Sequence, residues 1–152
     1  MDNDDLTRLS VALTGRRVRV VELQTALTAC GVRDMQRTGG IRQNLVARVP
    51  GKSARTLWIF GHTDVVPPGD STAWSSDPWT VRQAEDRLYG RGVEDNQHAL
   101  AGMLILVEEL HALRMRPRLT LGLVFMADEE CGSDYGLGHL LCGLPAAVGR
   151  LP

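Results

Sequence analysis

The sequence predicts an α/β fold with a mixed or largely parallel sheet, and three observations predict it. Stretches of helical periodicity alternate with short apolar runs, the pattern of helices layered on a sheet. Two of the runs, residues 56–60 (TLWIF) and 119–127 (LTLGLVFMA), are apolar at nearly every position, as strands buried on both faces are. No internal repeat or low-complexity linker divides the 152 residues, which make about one domain.

Residues 4–14 and 17–30 read as amphipathic helices. Leu6, Leu9 and Leu13 recur at spacings of three and four, and so do Val20, Leu23 and Leu27. Gly31 is placed to stop the second helix. Thr38-Gly39-Gly40 marks a turn. Residues 44–49 (NLVARV) alternate apolar and polar like a half-buried strand, closed by the turn Pro50-Gly51-Lys52-Ser53. Residues 56–60 form the next strand, expected to be more central because they are more fully apolar. Residues 65–78, rich in Pro, Gly, Ser and Asp, are a long loop, and a loop of that length inside a domain is usually functional. The glycines of RLYGRG (87–92) allow close backbone approach. Leu100, Met103, Leu104, Val107 and Leu110 define a helix over 97–113. The strand at 119–127 follows, and 135–141 suit a further short helix.

Composition narrows the function classes. With 43% hydrophobic and 23% charged residues the chain has the make-up of a soluble globular protein. A formal net charge of −1 provides no basic footprint for nucleic acid. No apolar run approaches the length of a membrane span, and the polar start MDNDDLTRLS is not a secretory signal. Cys30, Cys131 and Cys142 are odd in number and form no close pair, so a reducing cytoplasmic location is expected and a disulfide framework is not.

The chemistry gathers at strand ends. The run 56–60 delivers His62 and Asp64, and the run 119–127 delivers Asp128, Glu129 and Glu130. Glu94 and Asp95 follow the glycine turn and precede the long helix. Ligands of open α/β sheets bind outside the carboxyl ends of the strands, so the three clusters are expected to converge. Bare carboxylates brought together repel, and a divalent cation removes that repulsion. Imidazole with carboxylates suits zinc and its neighbours. Strand alternation puts His62 and Asp64 on one face, where Asp64 is expected to accept the proton of the ring nitrogen that does not hold metal. Of the adjacent Glu129 and Glu130, one can hold metal while the other takes a proton from water. Singly, each cluster has a plainer reading, such as Glu94-Asp95 complementing a helix N-terminus. Their joint placement is what singles them out. His98, His111 and His139 read as surface helix residues, Cys131 as a small buried filler, and Trp74 and Trp79 as packing that can also shape a pocket wall.

The motifs GHTDVVPPGD, WSSDPW, LYGRGVEDNQ and ADEECGSDYG, in that order, resemble the metallopeptidase family of acetylornithine deacetylase, succinyl-diaminopimelate desuccinylase, aminoacylase, carnosinase and glutamate carboxypeptidase. The resemblance runs from about Asn44 to about Leu141. It implies a three-layer α/β/α catalytic domain with a mixed, largely parallel central sheet. It also implies two divalent metals, usually zinc, with cobalt or manganese as alternatives. Carried over, His62 and Glu130 each bind one metal, Asp95 bridges them, Asp64 orients His62, and Glu129 is the general base. The implied reaction is hydrolysis of an amide bond in a short peptide or N-acyl amino acid.

Two departures from the family pattern stand out. Gln97-His98 replace the Lys-Gly that many relatives carry after the bridging Asp. The family also has a further carboxylate, a lid or dimerisation domain and a late histidine, whereas residues 141–152 contain no Asp, Glu or His. The expectation is therefore that residues 1–152 are the N-terminal portion of the catalytic domain, truncated, with the lid absent. Self-association through apolar surface so exposed is expected too. The competing expectation is a remnant that binds metal or a partner without turnover.

Overall fold

The computed structural model describes residues 18–143. The helix expected over 4–14 lies outside them. Helix α1 (Val20–Ala29) buries Val20, Leu23 and Leu27, the three positions that share a face. Glu22 begins it by reaching back to the Arg19 amide at 3.3 Å and to the Arg19 guanidinium. Gly31, with φ 79°, ends it in the left-handed region that a residue with a Cβ disfavours.

Strands β1 (Asp34–Thr38) and β2 (Asn44–Val49) form an antiparallel hairpin. Strand β3 (Ser53–His62) follows. A small hairpin of β4 (Arg82–Ala84) and β5 (Arg87–Tyr89) stands apart as its own two-stranded sheet. Helix α2 (His98–Ala112), strand β6 (Leu119–Met126) and helix α3 (Leu137–Gly143) complete the described chain.

The main sheet has the order β1-β2-β6-β3. It is mixed, as expected: β3 runs parallel to β6, while the β1–β2 and β2–β6 ladders are antiparallel. Among the described residues parallel pairing is confined to β3 and β6, because α2 lies between them in sequence and carries the chain back, whereas β1 and β2 are joined by a short turn. Alternation along β6 sends Leu121, Leu123 and Phe125 to one face, where they pack with Leu45, Ala47 and the buried residues of α1 and α2. Val124 and Met126 point the other way and meet Val46 and Leu140 of α3, with Trp58 alongside. Helices on both faces make the three layers. No described helix is long and apolar enough to cross a membrane.

One expectation is corrected. The run 56–60 was expected to be the more central strand, but among the described residues β3 is the edge and β6 is flanked on both sides. The apolar composition of the run gave neither its place in the sheet nor its burial, since no residue of 56–60 is fully buried. Leu57 and Phe60 of β3 are accordingly 50% and 40% exposed, while β6 is buried throughout 121–126.

Gly122 of β6 sits opposite Trp58 of β3, and a Cβ placed there would overlap the indole ring. Gly122→Val is expected to destabilise the fold by about 1–3 kcal/mol, the usual cost of overpacking. A denaturation midpoint equal to the wild-type value would show that Trp58 moves aside without penalty.

Candidate metal centre

The parallel ladder aligns two strand ends. His62 pairs with Met126, and the amide of Thr63 donates to the Met126 carbonyl at 2.7 Å. The segments that leave the ladder, 62–64 and 128–130, therefore run out side by side at the carboxyl end of the sheet. The third segment arrives from below the start of α2. Gly92, with φ 86°, turns the chain there, and its missing Cβ leaves room for Val65 and Gln97. Asn96 fixes this segment to β3 by accepting the His62 amide at 3.2 Å.

His62 is buried, with 6% of its side chain exposed, and both ring nitrogens are engaged. Nδ1 lies 3.0 Å from the main-chain carbonyl of Asp64, to which it can only donate. Nε2 lies 2.9 Å from Asp95 Oδ1 and 3.9 Å from Glu129 Oε2. Burial pushes the imidazole pKa down, but the Asp95 hydrogen bond, the Asp64 carbonyl and the two carboxylate charges outweigh it. The net result is a pKa above the usual histidine value. A cation arriving at Nε2 competes with that proton.

One atom from each of His62, Asp95 and Glu130 falls within 4.8 Å of the others. These are the three residues expected to bind metal. The donor set fits a divalent cation of the zinc type: an imidazole held by its Nδ1–H bond in the tautomer that frees Nε2, and two carboxylates. Glu129 is about half exposed beside them.

Asp64 is used differently from the expectation. Its carboxylate was expected to take the proton of His62 Nδ1, yet Oδ1 stands 3.6 Å away. The carbonyl of the same residue takes that proton instead. The carboxylate accepts the amides of Glu129 and Glu130 at 3.2 and 3.1 Å. Asp64 thus braces the imidazole with its backbone and the glutamate turn with its side chain.

Cys131 is exposed, not the buried filler expected. His98, His111 and His139 are exposed on helices, as read. Trp74 is held on the long loop by its indole N–H bond to the Pro68 carbonyl and carries Arg91 over its ring. Sequence reasoning missed Asn96, Asn44 and Arg42, and gave Asp128 no task. Each acts across the fold, so nothing in its sequence neighbourhood signals it.

Residues 58–149 match Peptidase family M20/M25/M40. The chain is 37% identical over 100 residues to an uncharacterised metallohydrolase of Methanocaldococcus jannaschii, covering 66% of this chain and 24% of that protein. It is 43% identical over 86 residues to succinyl-diaminopimelate desuccinylase of Paracidovorax citrulli, covering 57% and 22%. It thus spans about a quarter of the length of the curated relatives it matches. Human carnosine dipeptidase 1 shares the fold with a TM-score of 0.81 at 17% identity, over 96% of this chain and 36% of that one. A metallo-carboxypeptidase of Sulfolobus solfataricus does so with a TM-score of 0.68 at 22% identity, over 88% and 32%. The family match covers more than half of the chain and includes the carboxyl end of β3, the approach to α2 and the glutamate turn: the chain belongs to peptidase family M20/M25/M40.

Proposed function

We propose that this chain carries the cation-binding and proton-transferring half of an amide hydrolase acting on a short peptide or N-acyl amino acid. The carrying observation is the convergence of His62, Asp95 and Glu130 within 4.8 Å, beside the half-exposed Glu129. His62, Asp95 and Glu130 would hold a divalent cation, zinc being the best fit to the donors, with cobalt or manganese as substitutes. A cation there supplies Lewis acidity: it acidifies water toward pKa 7 and polarises a carbonyl oxygen. Glu129 takes the proton of the attacking water, being close to the donor cluster yet open to solvent. Asp64 keeps the imidazole and the glutamate turn in mutual register. The names of relatives, a desuccinylase and a dipeptidase, support a small substrate bearing an amide. The free thiols of Cys30, Cys131 and Cys142 fit a cytoplasmic location.

A second reading, a chain that holds a cation without turnover, is favoured by the size of the cluster. Three donor residues among the described ones suffice for a single cation. Both readings predict cation uptake, and only the first predicts hydrolysis. Calorimetric titration with zinc, followed by an assay on dipeptides and N-acetyl amino acids, tests them together. We expect a stoichiometry near one cation per chain. Absence of uptake would remove both readings, and uptake without hydrolysis would select the second.

A further inference from the structure

Glu129 and Glu130 sit on a turn whose ends are tied by groups outside the donor cluster. Asp128 opens the turn at φ 71°, a conformation unfavourable for a residue with a side chain, and is 4% exposed. Its carboxylate has two partners: one oxygen accepts the Tyr135 amide at 3.2 Å, and the other pairs with the guanidinium of Arg42. Its carbonyl accepts the Ser133 amide at 2.7 Å. Asn44 closes the same span, its Oδ1 accepting the Ala127 amide at 2.9 Å and its Nδ2 donating to the Tyr135 carbonyl at 2.7 Å. Arg42 also lies over the Tyr135 ring, 5.0 Å from its centroid.

A buried carboxylate is costly unless paired and hydrogen-bonded, and Arg42 supplies the pairing. The arrangement matters because the turn has little regular structure of its own. Glu129–Cys131 is a single 3-10 turn, flanked by the left-handed Asp128 and Gly132. The direction of the two glutamates is therefore set by what holds the turn: the Asp64 carboxylate on the amides of Glu129 and Glu130, and Asp128 with Asn44 at its ends.

We propose that Arg42 and Asp128 are positioning residues of the cation site. Their ion pair joins the β1–β2 connection to the end of β6 and holds Glu130 toward His62 and Asp95, with Glu129 beside them. This rests on reading the cluster as a cation centre. Neither residue belongs to the three-residue donor cluster, and each acts through the turn.

The test uses the whole chain, with Co²⁺ as probe. Asp128→Asn keeps the side-chain volume and an acceptor for the Tyr135 amide but removes the charge that Arg42 meets. Arg42→Met changes a half-exposed side chain, so it remains informative if Asp128→Asn folds poorly. We expect Co²⁺ affinity to fall roughly 10–100-fold in each, the usual cost of losing a partner of a metal ligand. The visible Co²⁺ spectrum should shift, because the direction of Glu130 changes. Arg42→Lys, which keeps the charge, should restore most of the affinity. The double variant should lose little more than Asp128→Asn alone, since the two act as one unit. Wild-type affinity and spectrum in both single variants, even with lowered thermal stability, would reduce the pair to a fold-stabilising contact and overturn the proposal. No Co²⁺ uptake by the wild-type chain would overturn the reading beneath it.

Discussion

Glu129→Gln is expected to lower the hydrolysis rate by roughly 10²–10⁴-fold, the range that general base catalysis contributes. Glutamine keeps the shape and both hydrogen-bonding positions but cannot take a proton. Glu129 is about half exposed and lies outside the three-residue cluster, so cation content should not change. Glu130→Gln should behave otherwise and lose cation and activity together. The measurement is cation content beside the hydrolysis rate for each variant. Cation lost from Glu129→Gln and kept by Glu130→Gln would exchange the two roles. If the wild-type chain binds cation and hydrolyses nothing, Glu129 has no proton to move, and the reading without turnover holds.

The second large effect is expected at His62. His62→Ala removes the donor that the rest of the site is built around: Nε2 faces Asp95 and Glu129, and Nδ1 is fastened to the Asp64 carbonyl. What remains is a group of carboxylates with no neutral donor between them. Zinc affinity should fall by more than the roughly 10–100-fold that loss of an outer partner costs. A thermal melt of the metal-free variant separates this loss from unfolding, because alanine also leaves a cavity where a buried ring stood. Zinc bound with wild-type affinity by a folded His62→Ala would place the cation elsewhere.

Two of the three candidate donors, His62 and Glu130, were legible because strand ends are. An apolar run followed at once by His or Glu announces itself, and Asn44–Val49 and the long helix were placed to within a residue by periodicity alone. Strand β1 was not legible. Its residues, DMQRT, show no apolar alternation, and it is a strand because β2 offers it a hydrogen-bonding partner across a short turn. The β4–β5 hairpin is three residues a side and too short to carry a period. The edge position of β3 depends on which strand inserts beside it, and the partner strand is reached only after α2 has turned the chain, 64 residues further on at the pairing of Phe60 with Val124. The uses of Asp64, Asp128 and Arg42 escaped for the same reason: a carboxylate's partner is set by the fold, and Arg42 meets Asp128 from 86 residues away.

The three donors hang from three different parts of the chain: the end of β3, the entrance to α2 and the turn after β6. A cation held by all three is thus a cross-link as well as a reagent. It can bind tightly only when the β3–β6 ladder is in register, because a slip of one residue would send His62 to the opposite face of the sheet. By mass action, folded chain and cation then stabilise each other, by about 2.7 kcal/mol when free cation stands at 100 times its dissociation constant. The unfolding temperature of this protein should accordingly be a function of free zinc, and chelation should loosen the sheet as well as silence the site.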